Sequence, residues 1–397
     1  MSFTGKATYD PGAPPGEEIA EDVSAIIAMI ARAETPLLDM LEPADMPALS
    51  TFHEWLDDAL LPNRTLLTAS AASAATSIAV TTGEGKYFRA GDLLKGSLIS
   101  ATAASSYARD EVMLVTAVAT DTLTVTKAYG GTTGVVYALG DEIQRVGRAA
   151  LEGDDSPAAV YSNMNRRVNY SQIFTEPINI SGTLEASKIL GGVGINGTIN
   201  REVAKRTKEL LAQLEAAVIQ SVAPASTMQG SLTVRRTMDG LIAQITANAI
   251  DGSAYSTGIT EAGLNLAFRT AWDSGADNID VLMVNGYQKR AINSFVGASR
   301  RWWKPEEMKY KDVVAIYESD YGPAKVLLNR WVPRDMVIGL DSSRLKVLPY
   351  SNRSFYLKEL GDTGDSFKKQ LIGEYTSELR NGPDGAHFII SDIPFTL

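Results

Sequence analysis

The rhythm of polar and apolar positions takes three forms along the chain, and each marks a different kind of structure. Residues 1–16 hold Pro11, Pro14, Pro15, Gly12 and Gly16, which predicts an extended start. In residues 17–33, Ile19, Val23, Ile26, Ile27 and Ile30 recur every three or four positions, predicting a helix with one apolar stripe. Glu17, Glu18, Glu21 and Asp22 fall early in it, where the helix dipole favours acids. Thr35-Pro36 closes that helix. Pro43 and Pro47 keep the next segment extended, until Phe52, Trp55, Leu56 and Leu60 give a short amphipathic turn.

From about residue 65 to 148 the period shortens to two. Residues 77–81, 111–118 and 122–126 read as strands rich in β-branched side chains. Phe88-Arg89-Ala90-Gly91-Asp92-Leu93-Leu94 is echoed by Tyr137-Ala138-Leu139-Gly140-Asp141-Glu142-Ile143, each a turn feeding a strand. This region is expected to be a small all-β insertion, a barrel or a sandwich.

The third rhythm is mixed. Residues 169–174 and 178–183 predict strands, then residues 200–222 predict the strongest helix of the chain. Its stripe is Val203, Thr207, Leu210, Leu214, Ala217 and Ser221, widened by Leu211 and Val218; Glu215 falls with the charged remainder. Asn200 can cap its start and Pro224 stops it, so it would be roughly 35 Å long. Helices follow at 238–249, 261–273 and 286–295, with a buried strand at 278–284. Strands follow at 313–318, 324–328, 336–340 and 345–348. Residues 371–380 and 386–393 flank Asn381-Gly382-Pro383-Asp384-Gly385 and predict a terminal hairpin. The pattern is α+β.

Composition sharpens this. With 397 residues, two or three domains or subdomains are expected. There is no Cys, which excludes disulfides, thiolate metal sites and a cysteine nucleophile; His53 and His387 are the only histidines. The longest apolar run near the N-terminus, residues 25–31, is far short of the ~20 residues that span a bilayer. It follows an acidic segment rather than a basic one, so a signal peptide is not expected. The chain is expected to be soluble, made in the cytoplasm, and away from membranes.

The net charge of −10 sits in one place. Residues 1–60 hold twelve acids against Lys6 and Arg32, and the remaining residues balance. Such an arm disfavours binding to nucleic-acid phosphates. It is either a solvated arm or one that lies on basic side chains of a neighbouring chain. Arg300, Arg301, Trp302, Trp303 and Lys304 form a basic-aromatic cluster of the composition found in interface anchors, and Arg166-Arg167 forms a smaller basic spot. Otherwise the cluster is one core Trp on a solvated loop.

Enzyme motifs are weak. Gly192-Val193-Gly194-Ile195-Asn196-Gly197 matches the dinucleotide pattern, but no buried strand precedes it and Arg201, Glu202, Lys205 and Arg206 open the helix after it. It reads as a hinge loop. Gly361-Asp362-Thr363-Gly364-Asp365 lacks the closing Glu of a calcium loop, and His53-Glu54 lacks the second His of a zinc protease helix. No catalytic, metal or cofactor-binding residues are assigned, and an enzyme is not expected.

The ordered pieces resemble a known family. They are Glu34-Thr35-Pro36-Leu37-Leu38, Phe52-His53-Glu54-Trp55-Leu56-Asp57-Asp58 and Gly130-Gly131-Thr132-Thr133 with Gly140-Asp141-Glu142-Ile143. After them come Asn169-Tyr170-Ser171-Gln172-Ile173-Phe174, Leu214-Glu215-Ala216-Ala217-Val218-Ile219 and Gly373-Glu374-Tyr375-Thr376-Ser377-Glu378-Leu379. In this order they resemble the major capsid, or major head, protein of tailed bacteriophages. That is the Johnson fold of the Hong Kong type, here the podovirus-type with a β insertion in its extended loop.

The resemblance implies regions: an N-terminal arm at 1–60, an extended loop at 61–198 with the β insertion at about 65–148, and a spine helix at 199–224. It further implies an axial domain at 225–344 and peripheral-domain strands at 345–397. It implies hexamers and pentamers closing into an icosahedral head around double-stranded DNA, without sequence-specific binding, and a place in the virion capsid after assembly in the host cytoplasm. Portal, scaffolding and decoration proteins are the implied partners. Intersubunit contacts would fall to Glu17, Glu18, Glu21, Asp22, Trp55, Arg166, Arg167, Arg300, Arg301, Trp302 and Trp303. The rivals are an encapsulin-type compartment shell and, outside the class, a nucleotide-cofactor enzyme using Gly192 to Gly197.

Overall fold

The computed structural model describes residues 35–41, 46–58, 60–97, 111–153, 155, 161, 164–186, 197–255, 258–276, 278–299, 316–361 and 364–395. The helix expected at 17–33, the Gly192–Gly197 loop up to its last residue, and the cluster at 300–304 lie outside the described residues.

In chain order the elements begin with α1 (Pro36–Met40), β1 (Phe52–Asp57), β2 (Arg64–Leu66), β3 (Ser77–Ala79), β4 (Asp92–Ser97), β5 (Val112–Ala119), β6 (Thr122–Thr126) and β7 (Glu142–Arg148). Then come β8 (Asn165–Tyr170), β9 (Gln172–Ser181), α2 (Gly182–Ala186), α3 (Gly197–Gln220), α4 (Leu241–Gln244), β10 (Ala249–Asp251), α5 (Glu261–Asp273), β11 (Val281–Val284) and α6 (Gly286–Ser299). Last are β12 (Ile316–Ser319), β13 (Gly322–Leu328), β14 (Val337–Leu340), β15 (Leu345–Pro349), β16 (Tyr356–Glu359), β17 (Ser366–Leu379) and β18 (Phe388–Ser391). The chain forms two compact units, Asp58–Asn165 and the remainder.

The smaller unit is one antiparallel sheet in the order β2-β7-β4-β5-β6-β3. Its outer strands meet: Leu67 bridges Val80, and the Thr68 and Thr81 amides donate to Ala79 and Leu66 at 3.0 Å each. The sheet therefore closes into a small barrel, which satisfies edges that would otherwise invite pairing. Ile78, Leu94, Met113, Leu123, Tyr137 and Ile143 fill it. The sequence echo is a repeated turn. Gly91 and Gly140 both take positive φ, +88° and +86°. Asp92 and Asp141, both fully buried, accept from the amides of Arg89 (2.9 Å) and Ala138 (2.8 Å). The strands that follow, β4 and β7, pair antiparallel, so a local two-fold relates the two turns.

The larger unit holds two main sheets. The first is six-stranded and mixed, in the order β10-β18-β14-β11-β13-β12. β11 and β14 are buried on both faces, which is why they read as unbroken apolar runs. One core lies on each side. Val281, Met283 and Ile338 pack with Leu210, Leu214, Val218 and Ile219 of α3. Leu282, Val284 and Val337 pack with Leu264, Phe268 and Ala271 of α5 and Ile292 of α6. The second sheet is built on β17, with β9 along one edge and β15 and β16 along the other. Helix α3 packs on β9 and β17, joining the core of the two sheets.

Three expectations change. The stretch at Phe52 to Leu60 is not a helical turn: β1 is a strand with Trp55 and Asp57 pointing inward, paired with β8. The helix expected at 238–249 is only α4, which ends where Ile245 turns extended (φ −86°, ψ 95°); Asn248, at a left-handed φ of +54°, then leads into β10, parallel to β18. The terminal hairpin does not form. β15 and β16 hold one edge of β17 and β9 the other as far as Tyr375, and β18, with Phe388, Ile389 and Ile390 buried, pairs instead between β10 and β14. Pro36 opens a helix, α1, at the first position, where a missing amide costs nothing.

The crossing from β17 to β18 holds His387, fully buried. Its Nδ1 accepts from the Asp341 amide (3.2 Å) and its Nε2 donates to the Arg380 carbonyl (3.1 Å). Burial pushes its pKa down to about 4.

Candidate assembly site

Along β17 the residues Glu374, Thr376 and Glu378 fall on one face by the strand's two-residue period, and all are buried. Charged groups are rarely buried unless paired, and these are. Glu374 accepts from Ser171 Oγ and Arg236 Nη2, both at 2.6 Å, and pairs with Arg353 Nε at 2.9 Å. Glu378 meets His53 Nε2 at 2.8 Å and Arg380 Nε at 2.5 Å. Burial pushes the Glu378 carboxyl up, but hydrogen bonds from His53 and Arg380 and their charges carry it below the usual value. Between them Asn169 uses its full capacity. Its amide donates to the Ser377 carbonyl (2.7 Å) and Oγ (3.0 Å) and to the Asp239 carbonyl (3.0 Å), and its oxygen accepts from the amides of Asp239 (2.9 Å) and Tyr170 (2.8 Å).

A second anchor lies on α3. Glu215 is fully buried and accepts from the amides of Leu37 (3.1 Å) and Leu38 (3.3 Å) and from Asn329 Nδ2 (2.5 Å). It thus supplies the acceptors that the first turn of α1 lacks, and fixes α1 to the long helix. Burial pushes its pKa up, against those three hydrogen bonds. The sequence reading puts Glu215 with the charged remainder of the helix, and the structure moves it into the core. The available signal was its spacing from Leu211 and Val218, both on the apolar side.

The sequence-predicted residues divide. Trp55, Arg166 and Arg167 come together on the β1–β8 ribbon. Trp55 is buried, its ring 5.9 Å from that of His53. Arg166, its side chain 63% exposed, pairs with Glu54. Arg167 Nη2 meets Asp384 Oδ1 at 3.2 Å, and its Nε lies 3.6 Å from the buried Asp57. Burial, with Asp384 nearby, pushes the Asp57 carboxyl up. Glu17, Glu18, Glu21, Asp22, Arg300, Arg301, Trp302 and Trp303 lie outside the described residues. Sequence reasoning missed the roles of Asn169, Glu215, Glu374 and Glu378. Among the described residues, no group of three or more His, Asp or Glu side chains is arranged to hold a metal ion, and no helix is long and apolar enough to cross a membrane.

The polar contacts join the sequence segments that suggested a family. Asn169 and Ser171 meet Ser377 and Glu374, His53 meets Glu378, and Glu215 meets Leu37 and Leu38. A family model described as the SU10 major capsid protein matches residues 3–394. The chain belongs to this family. It is a capsid protein of α+β fold, and its place is the virion capsid. No curated protein matches this major capsid protein. Among solved structures it is similar to a cyanophage A-1(L) capsid subunit, at 12% identity and a TM-score of 0.49, over 96% of this chain and 98% of that one. It is also similar to the capsid of a native GTA particle, at 11% identity and a TM-score of 0.44, over 100% of both chains. A third is the holo-SrpI encapsulin complex from Synechococcus elongatus, at 8% identity and a TM-score of 0.41, over 59% of this chain and 80% of that one.

Proposed function

We propose that this capsid protein closes copies of itself, as hexamers and pentamers, into an icosahedral phage head around double-stranded DNA. The carrying observation is the family match over residues 3–394. The buried polar ladder of Glu374, Asn169 and Glu378 with their partners supports it, because a shell subunit needs rigid roots for segments that reach its neighbours. Residues 1–60 serve as the arm, 61–198 as the extended loop with its inserted barrel, and 199–224 as the spine helix. Residues 225–344 form the axial domain around hexamer and pentamer centres, and 345–397 the peripheral strands. Glu17, Glu18, Glu21 and Asp22 of the arm meet basic side chains of a neighbour, drawn from Arg166, Arg167, Arg300 and Arg301. Trp55 underlies that ribbon, and Trp302 and Trp303 add apolar anchors. DNA is enclosed without sequence-specific contacts. Assembly takes place in the host cytoplasm with a separate scaffolding protein, and portal and decoration proteins join the shell. None of these roles requires catalysis.

Stable contacts of this kind bury well above ~1,000 Å² per pair. Negative-stain imaging of the purified protein, alone and with its scaffolding partner, tests the reading. Closed shells of uniform size are expected. A monodisperse monomer in every preparation would sink it.

A further inference from the structure

Seven acids are buried among the described residues, and six of them accept hydrogen bonds: Asp92, Glu111, Asp141, Glu215, Glu374 and Glu378. Asp57 is the seventh. Its side chain is 1% exposed, and no hydrogen bond reaches either carboxylate oxygen. Arg167 Nε stands 3.6 Å away, too far for one, and is itself without an acceptor. A buried carboxylate held in this way costs free energy while it is charged, and far less once it is neutral.

The groups around Asp57 do not balance. Arg167, on β8, places Nη2 on Asp384 in the turn after β17. Arg380, just beyond β17, is held by Glu378, which His53 of β1 also meets. With His53 neutral, the acids Asp57, Glu378 and Asp384 face only Arg167 and Arg380, which leaves one negative charge in excess. The next groups out are already matched: Glu54 pairs with Arg166, and Arg344 with Asp341. One added proton neutralises the cluster. Glu378 is a poor place for it: burial raises that carboxyl, but His53 and Arg380 carry it below its ordinary value. Asp57 is the better one, since burial, with Asp384 nearby, pushes its pKa up against the pull of the Asn381 amide and the two arginines.

The position gives that proton leverage. Asp57 is the last residue of the larger unit before the chain enters the barrel, and Arg166 is the first after it leaves. Asp57 and Arg167 thus stand on the two strands that lead into and out of the barrel, and the groups they meet, Asn381 and Asp384, belong to one turn.

We propose that this cluster is a proton-operated latch: one proton taken up by the Asp57 carboxyl releases Arg167 wholly to Asp384 and fastens the β1–β8 ribbon to the turn at residues 381–385. Acid tightens the ribbon and neutral pH loosens it. The seated ribbon favours the neutral acid, so it binds the proton more readily than the opened one. The gain is complete below the ordinary carboxyl value of about 3.9 and is lost as pH rises through the higher value of the seated state. The latch belongs to the single chain and does not depend on the shell reading.

Hydrogen exchange of the unassembled subunit at a series of pH values from neutral to mildly acidic, corrected for the intrinsic rate at each pH and referred to β11 and β14, tests it. Protection of residues 52–57 and 165–170 should rise as the pH falls, by up to about tenfold per pH unit, the limit for one proton. Asp57→Asn should show the high protection already at neutral pH and no further rise. Asp384→Asn leaves Asp57 in place and frees Arg167 for it, so protection at neutral pH should increase and the rise should shrink. His53→Gln should keep the rise. A ribbon whose protection does not rise in acid, or a rise that survives Asp57→Asn or vanishes in His53→Gln, overturns the proposal. So does lower protection at neutral pH in both acid variants, which would make the two charges the ties that hold the ribbon. If Asp57→Asn does not fold, Asp384→Asn and His53→Gln decide by the same signs.

Discussion

The barrel and the larger unit bury acids in opposite ways. In the barrel, Asp92 and Asp141 each close a turn on an amide three residues earlier. Glu111 accepts from the amides of Ala128 (3.3 Å) and Val135 (2.9 Å) and lies 3.6 Å from the buried Lys127 ammonium. Burial pushes the pKa of Lys127 down, against the pull of Glu111. The longest reach among these groups, Arg148 to Asp92, spans 56 residues. In the larger unit, Glu215 reaches Leu37 across 178 residues, Glu374 reaches Ser171 across 203, and Glu378 reaches His53 across 325. The barrel satisfies its charges within one short segment, and the larger unit mainly by assembling distant ones. Local pairing lets a unit fold with little loop-closure cost, whereas the ladder forms only after long loops close.

The largest expected effect is on the ladder. Glu374→Ala leaves Arg236 and Arg353 facing an empty buried site and should cost about 3–5 kcal/mol. Asp141→Ala removes one local acceptor and should cost about 1–2 kcal/mol. Urea denaturation of both variants, followed by probes in each unit, reads the contrast. Equal losses would erase it.

A smaller effect comes with pH. The His387 pKa is depressed to about 4 in the folded chain, so the unfolded chain takes up the proton first. Its contribution is complete above the ordinary value of about 6.5 and is lost as pH falls towards 4, about 3 kcal/mol in all. Stability of the unassembled subunit should fall across that window, and His387→Gln should flatten the slope. An unchanged slope in the variant would remove His387 from the explanation.

The same contrast explains what the sequence made legible. The repeated aromatic-x-x-Gly-Asp turn was visible because every partner lies within one short segment. The long helix was visible because its apolar stripe is periodic. Glu215 was not, since an acid on a helix reads as solvated until Leu37 and Leu38 are known to arrive beneath it. Glu374 and Glu378 sit in a strand buried on both faces, so no alternation marks them, and their cations come from β1 and from residues 236, 353 and 380. The missing terminal hairpin has the same cause. Asn381-Gly382-Pro383-Asp384-Gly385 is a sound local turn, yet the strand after it pairs with β10 and β14, segments distant in sequence, and β15 holds the edge of β17 beside the turn.

Native-state hydrogen exchange on the unassembled subunit, followed by mass spectrometry in rising urea, tests this division most directly. Amides of residues 60–97 and 111–148 should exchange together as one unit with its own urea dependence. Amides of β9, α3 and β17 should form a second unit, and Glu374→Ala should lower protection in that unit alone. One shared urea dependence across both units, or loss of barrel protection in Glu374→Ala, would contradict the separation of local from long-range burial.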